Sequence, residues 1–377
     1  MTRMKMNNFI PVYEPLLDKT EEEYVLECVR SGWISSEGKY IQEFERSWAD
    51  YCNMNNGIAV SSGTTALQIA VKCLPLNKGD EIIIPSFTII SCAIAVIEAG
   101  AIPVLVDCDP ETWTMRVDEI EKKISSKTRA IMAVHIYGHP AEMEQIWEIA
   151  KKHGLYIIED AAEAHGAEYK GQKCGGFGDI STFSFYANKI VTTGEGGMIL
   201  TKNSKFADRA RSLRNLCFRT DKRFYHTEMG YNYRMSSIQA SIGLAQLKKI
   251  EGVVKKRRQI AHYYNKNLKN VKALQLPIEK EWAKNVYWMY AVVLSEEVQM
   301  EASQLSFRLK EKNIETRPFF LGMHEQPVFI NMGLFNGETY PITERISKKG
   351  LYLPSGLSLT NPLQERVCSA IKESLLN

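Results

Sequence analysis

The chain has 377 residues, 45% of them hydrophobic and 24% charged, and carries a formal net charge of +3. This is the composition of an ordinary globular protein, long enough for more than one structural unit. So small a positive excess gives no footing for nucleic acid or an anionic membrane as partner.

The first forty residues carry no core pattern of their own. Ser62-Gly63-Thr64-Thr65 then precedes a helical stretch from Ala66. Free amides and hydroxyls at such a start form an anion site, although the same residues also serve as a plain N-cap. Glu81–Pro85 reads as a strand, followed by a helix through Val96. Ile102–Asp107 and Arg129–His135 read as further strands, then a helix through His153, then a strand, Tyr156–Asp160. Alternation of this kind predicts βαβ units and a mainly parallel sheet covered on both faces. Ligands bind such sheets beyond the carboxyl ends of the strands. His135, Asp160 and Ser184 lie at or near those ends and are expected to meet in one crevice. The apolar stretch 82–97 is broken by Pro85 and falls short of the ~20 residues a membrane span needs. Eight cysteines without a CxxC pair, and no leader pattern, predict a reducing cytosol and a cytoplasmic protein.

Between the strand-like Ile180–Phe185 and the turn Gly194-Glu195-Gly196-Gly197 stands Lys189. Lysines are mostly solvated surface charges. One delivered at a strand end beside glycines, however, can approach a planar cofactor and condense with its aldehyde. Asp160, about thirty residues upstream, is either a cap for the next helix or the partner of a pyridinium nitrogen. That acid and that lysine are the pair pyridoxal phosphate chemistry requires. His135 and His139 flank Tyr137-Gly138, but no third ligand or carboxylate stands at metal spacing, so no metal site is expected.

Downstream, 236–268 reads as one long amphipathic helix opened by Ser236-Ser237. The run Lys255-Lys256-Arg257-Arg258 is its polar face. Residues 1–250 are expected to form a large domain and 251–377 a smaller α/β domain.

Eight blocks in order resemble the DegT/StrS-type nucleotide-sugar aminotransferases, which are fold-type I pyridoxal-phosphate enzymes. Among them are GWISSEGKYIQEFE (32–45), SSGTTAL (61–67), IIEDAAEAHGA (157–167), FGDISTFSFYANKIVTTGEGGM (177–198) and GYNYRMSSIQASIGLAQL (230–247). The resemblance implies an α/β protein with a mainly parallel sheet flanked by helices, plus a smaller C-terminal α/β domain. It also implies transfer of an amino group from L-glutamate to a keto sugar nucleotide, with pyridoxal 5'-phosphate as cofactor and the 4-keto group of a GDP-linked 6-deoxysugar as acceptor. Lys189 would carry the aldehyde and shuttle a proton, a role that favours transamination over the dehydration run by relatives with His there. Gly63, Thr64 and Ser184 would hold the phosphate, Asp160 the ring nitrogen and Glu163 the ring oxygen. Ile89 takes the place of a stacking aromatic, and Ile94 that of a frequent Asn. His165 reads as structural. Asn232 would reach the phosphate of the neighbouring subunit, making a homodimer with shared sites. Trp33, Tyr186, Arg219, Arg234, Arg317 and His324 would surround the substrate. Arg234 reads equally as an interface salt bridge. Arg219, Lys222, Arg223, Arg234 and Arg317 suffice for a diphosphate or a monophosphate, so another nucleotide-linked keto sugar or a small phosphorylated ketone stays open as acceptor. A pyridoxal-binding regulator without turnover is a further reading, opposed by the intact Asp160/Lys189 pair.

Overall fold

The computed structural model describes residues 9–376. Seven strands form the main sheet: β1 (Asn56–Val60), β2 (Glu81–Pro85), β3 (Ile102–Val106), β4 (Thr128–Val134), β5 (Tyr156–Asp160), β8 (Ile180–Ser184) and β9 (Gly197–Thr201). Their order is β1-β9-β8-β5-β4-β2-β3, with β9 antiparallel to both neighbours and the remaining pairs parallel. Continuous apolar runs such as Ile82-Ile83-Ile84, fully buried, suit strands covered on both faces. The short strands β6 (Glu168–Tyr169) and β7 (Gln172–Lys173) pair with each other, and β6 with β11 (Ala283–Lys284). A four-stranded antiparallel sheet of β10 (Leu274–Gln275), β12 (Tyr290–Leu294), β14 (Gly350–Leu353) and β13 (Arg317–Pro318) has its own apolar core around Tyr264, Leu305 and Val367.

Two expectations for the region after 235 are corrected. The predicted single helix is two, Ser237–Leu247 and Ile250–Leu268. The break is hidden in the sequence because the apolar period runs on through it. It brings Lys249 Nζ to Asp18 (2.8 Å) and Glu21 (2.6 Å). The basic run is likewise no single polar face, since successive residues turn ~100° around a helix. Arg257 is buried, donating to the Ser355 carbonyl and lying 4.8 Å from the Tyr13 ring centroid. Among the described residues, no helix is long and apolar enough to cross a membrane. All eight cysteines are free and buried.

The segment 10–15 runs between the two cores. Ile10 N–H donates to Asn313 O, Ser355 N–H to Val12 O, and the Tyr13 hydroxyl to Lys189 O (3.1 Å).

Candidate active site

Beyond the carboxyl ends of β5 and β8 lies a cleft of about 350 Å³. One end is the start of the Gly63–Cys73 helix. Ser62 caps it, its Oγ accepting from Thr65 N–H, while Thr65 Oγ1 accepts from Ser62 N–H in return. That leaves the amides of Gly63 and Thr64 free to meet an anion. A Cβ on Gly63 would come within 2.5 Å of Ser184 Cβ, so only glycine lets the strand end and the helix start share this corner. Thr64 Oγ1 bonds Ser91 Oγ (2.9 Å), adding hydroxyls to the same corner.

Asp160, Glu163 and Lys189 are gathered in the deep part of the cleft, all buried. Asp160 Oδ1 accepts from Ala162 N–H (3.0 Å) and Oδ2 from the Cys92 thiol (3.3 Å). Burial raises the Asp160 carboxyl above its ordinary value, against the pull of those two donors and of Lys189. A cation beside it would restore the charge. Glu163 Oε2 accepts from Tyr137 N–H (2.7 Å), and Oε1 lies 3.6 Å from Lys189 Nζ. Burial pushes Glu163 up to about 7 despite the lysine. It also lowers the Lys189 ammonium, with Glu163 and Asp160 opposing. With the acid raised and the amine lowered, Glu163 and Lys189 lie closer in proton affinity than a free carboxyl and a free amine do. The Trp288 ring centroid lies 3.5 Å from Lys189 Nζ, and the indole N–H donates to Asn188 O (2.8 Å).

These residues fit pyridoxal phosphate: an anion corner at one end, a buried carboxylate with a free lone pair at the other, a desolvated amine between. The buried Asn188 Oδ1, on the cleft wall, has no partner among the described residues.

Of the residues expected from the sequence, Gly63, Thr64, Ile89, Asp160, Glu163, Ser184, Tyr186 and Lys189 line this cleft. Others do not reach it within one chain. His135 turns away: its Nε2 bonds buried Glu159 (2.9 Å) and its Nδ1 accepts from Ala141 N–H, so the imidazole is used up in packing. Cys174 is near that pair, but Glu159 also accepts from the Phe177 and Gly178 amides and the Ser181 hydroxyl. His324 is buried against Tyr340 and bonds Glu344 (3.1 Å). Trp33 is exposed. Arg219 is held by Asp221 on an exposed loop, and Arg234 donates to Asn215 Oδ1 (2.8 Å). Asn232 is exposed, bridged through its backbone to Asn215. Arg317 lines a neighbouring hollow of about 430 Å³ that shares Tyr186, Asn188 and Tyr352 with the cleft. His165 sits 5.1 Å from the Trp48 ring, accepts from Val191 N–H, and is lowered to about 3 by burial.

Sequence reasoning missed Trp288, Phe320 and Tyr352, which come from the C-terminal region, and Cys92. Trp288 stands in the run Asn285–Tyr290, which carries no local sign of a site.

The DegT/DnrJ/EryC1/StrS aminotransferase family profile matches residues 15–372. The chain is 43% identical to the GDP-perosamine synthase of Escherichia coli O157:H7, over 97% of this chain and 98% of that one. It is 41% identical to that of Caulobacter vibrioides, with the same shares covered. Among solved structures, S. venezuelae DesV in complex with a ketimine intermediate is 32% identical, with a TM-score of 0.88 over 95% of this chain and 94% of that one.

Proposed function

The chain belongs to the DegT/DnrJ/EryC1/StrS aminotransferase family and is a pyridoxal-phosphate-dependent aminotransferase, and on that premise we propose that it moves the amino group of L-glutamate to the 4-keto carbon of GDP-4-keto-6-deoxymannose, making GDP-perosamine. The observation that carries the acceptor is likeness to GDP-perosamine synthases along almost the whole of both chains. The amino-transfer chemistry is supported by the desolvated Lys189 between Asp160 and Glu163.

In this reading Gly63, Thr64 and Ser184 bind the cofactor phosphate and Asp160 faces the ring nitrogen. When bound, pyridoxal phosphate supplies an aldehyde that takes up the donor's amino group and a ring that draws off electrons from the carbon losing its proton. Lys189 Nζ, once free, takes that proton and returns it elsewhere, which its lowered basicity favours. Glu163 Oε1 holds the proton while Lys189 Nζ is neutral. Trp288 and Phe320 close the cleft wall and keep water from the amine. The test is to offer the aminated enzyme a panel of nucleotide-linked keto sugars and phosphorylated ketones. The GDP-linked 4-keto sugar should be aminated fastest, as read by product mass and NMR. Preference for another acceptor would replace the substrate and leave the transfer chemistry standing.

The working unit is a cytoplasmic homodimer in which Asn232 completes the partner's phosphate site. Its exposure and its absence from the lining of its own cleft support this, and the scattered, buried cysteines without a CxxC pair support the compartment. A Lys189→Ala chain mixed with an Asn232→Asp chain, each inactive alone, should regain activity, because one of two composite sites is then intact. No recovery after proven subunit exchange would assign Asn232 to its own chain.

A further inference from the structure

Asp160, deep in the cleft, takes a hydrogen bond from a thiol. Cys92 is fully buried on the Ser91–Glu98 helix, with Sγ 3.3 Å from Asp160 Oδ2. The thiol is also 3.4 Å from Thr88 Oγ1, and Thr88 is buried and lines the cleft. Because S–H carries a single proton, a thiol that donates to Asp160 receives the Thr88 hydroxyl. The three groups then form a directed relay, Thr88 to Cys92 to Asp160. The Ala162 amide occupies the other carboxylate oxygen, so the two donors together fix the plane of the carboxylate from both sides.

We propose that Cys92 is a positioning residue, one that orients the Asp160 carboxylate toward the cofactor's ring nitrogen and restrains its basicity. This rests on the pyridoxal-phosphate reading of the cleft. A thiol is a weak donor in water, but in a dry site a hydrogen bond to a carboxylate strengthens while an unpaired oxygen becomes costly. Burial holds the thiol far above its ordinary value, so it stays protonated and remains a donor. Without that donor the carboxylate can rotate and is more basic. Both changes draw the proton of an N–H···O pair from the ring nitrogen toward Asp160.

Two measurements test the idea. In the apoenzyme, the infrared S–H stretch assigned by difference with Cys92→Ala should be red-shifted from that of a free thiol and should move back toward the free value in Asp160→Asn. In holoenzyme carrying cofactor labelled with nitrogen-15 in its ring, Cys92→Ala should move the ring resonance toward the neutral-pyridine position. kcat should fall about tenfold, the scale of one hydrogen bond to a charged group, with KM within about twofold. Cys92→Ser, which keeps a donor, should restore both the resonance and the rate. An unshifted S–H band, or a Cys92→Ala enzyme with unchanged resonance, would overturn the proposal. Equal loss in Cys92→Ser and Cys92→Ala would make Cys92 a packing residue only. Failure of the cofactor to bind wild-type enzyme would instead remove the pyridoxal reading, while the infrared result would stand.

Discussion

Replacing Lys189 by alanine should lower turnover by about 10⁴-fold, the loss expected when a single group serves as both covalent anchor and proton carrier. Cofactor should still bind through the Gly63–Ser184 corner and Asp160, so equilibrium dialysis should find it retained. Borohydride treatment of the wild-type holoenzyme should leave the cofactor attached to Lys189 Nζ, as read by peptide mass, and the variant should give no such adduct. An adduct on any other lysine would displace Lys189 from the role. The fold should tolerate the change, because the variant no longer buries an amine that burial destabilises in its charged form. The pH profile carries a sign. Glu163 raises Lys189, so Glu163→Gln removes that support and should move the limb on which the rate rises with pH to lower pH. A limb moving upward, or none, would separate the two residues.

Asp160→Asn should lower kcat by about 10²–10³-fold, the size of losing one preorganised electrostatic partner. Asparagine keeps the shape and can still accept one hydrogen bond, but it cannot hold a ring nitrogen charged. Cofactor affinity should fall less than tenfold, since the phosphate contacts at the Gly63–Cys73 helix are untouched. Pre-steady-state rates against cofactor titrations separate the two quantities. Near-normal turnover in the variant would mean that another group faces the nitrogen.

The parts of the site legible in the sequence were those with a local signature. Strand ends followed by small or acidic residues located Asp160 and Ser184, and the parallel alternation placed them at one edge of a sheet. Lys189 needed only a strand, a turn and glycines. What the sequence hid depends on contacts across long separations. Trp288 lies over Lys189 from almost a hundred residues away, inside an apolar run that looks like any buried segment. His135 had the right address at the end of β4, but its side chain goes to buried Glu159, which also gathers the Phe177 and Gly178 amides and the Ser181 hydroxyl, while its other ring nitrogen takes the Ala141 amide. The break at Lys248-Lys249 was invisible because the apolar period does not change across it. Arg257 shows the limit of reading charge as exposure: burial came with a carbonyl and an aromatic ring instead of an acid.

The hydroxyl that Tyr13 gives to the Lys189 carbonyl has a consequence for how the protein is made. The segment bearing Tyr13 is itself anchored by Ser355, and the Lys189 turn is tied by Trp288. A ribosome therefore releases the first stretch of the chain long before its fastenings exist. The lysine's surroundings are finished only when residue 355 has emerged, so completion of the site, as distinct from its phosphate corner, waits on the slow closure of distant contacts. Nascent chains halted short of that point would have most of the large sheet yet no complete seat for the vitamin-derived group. Cofactor that binds the finished fold more tightly than the partial one draws the population toward it by mass action.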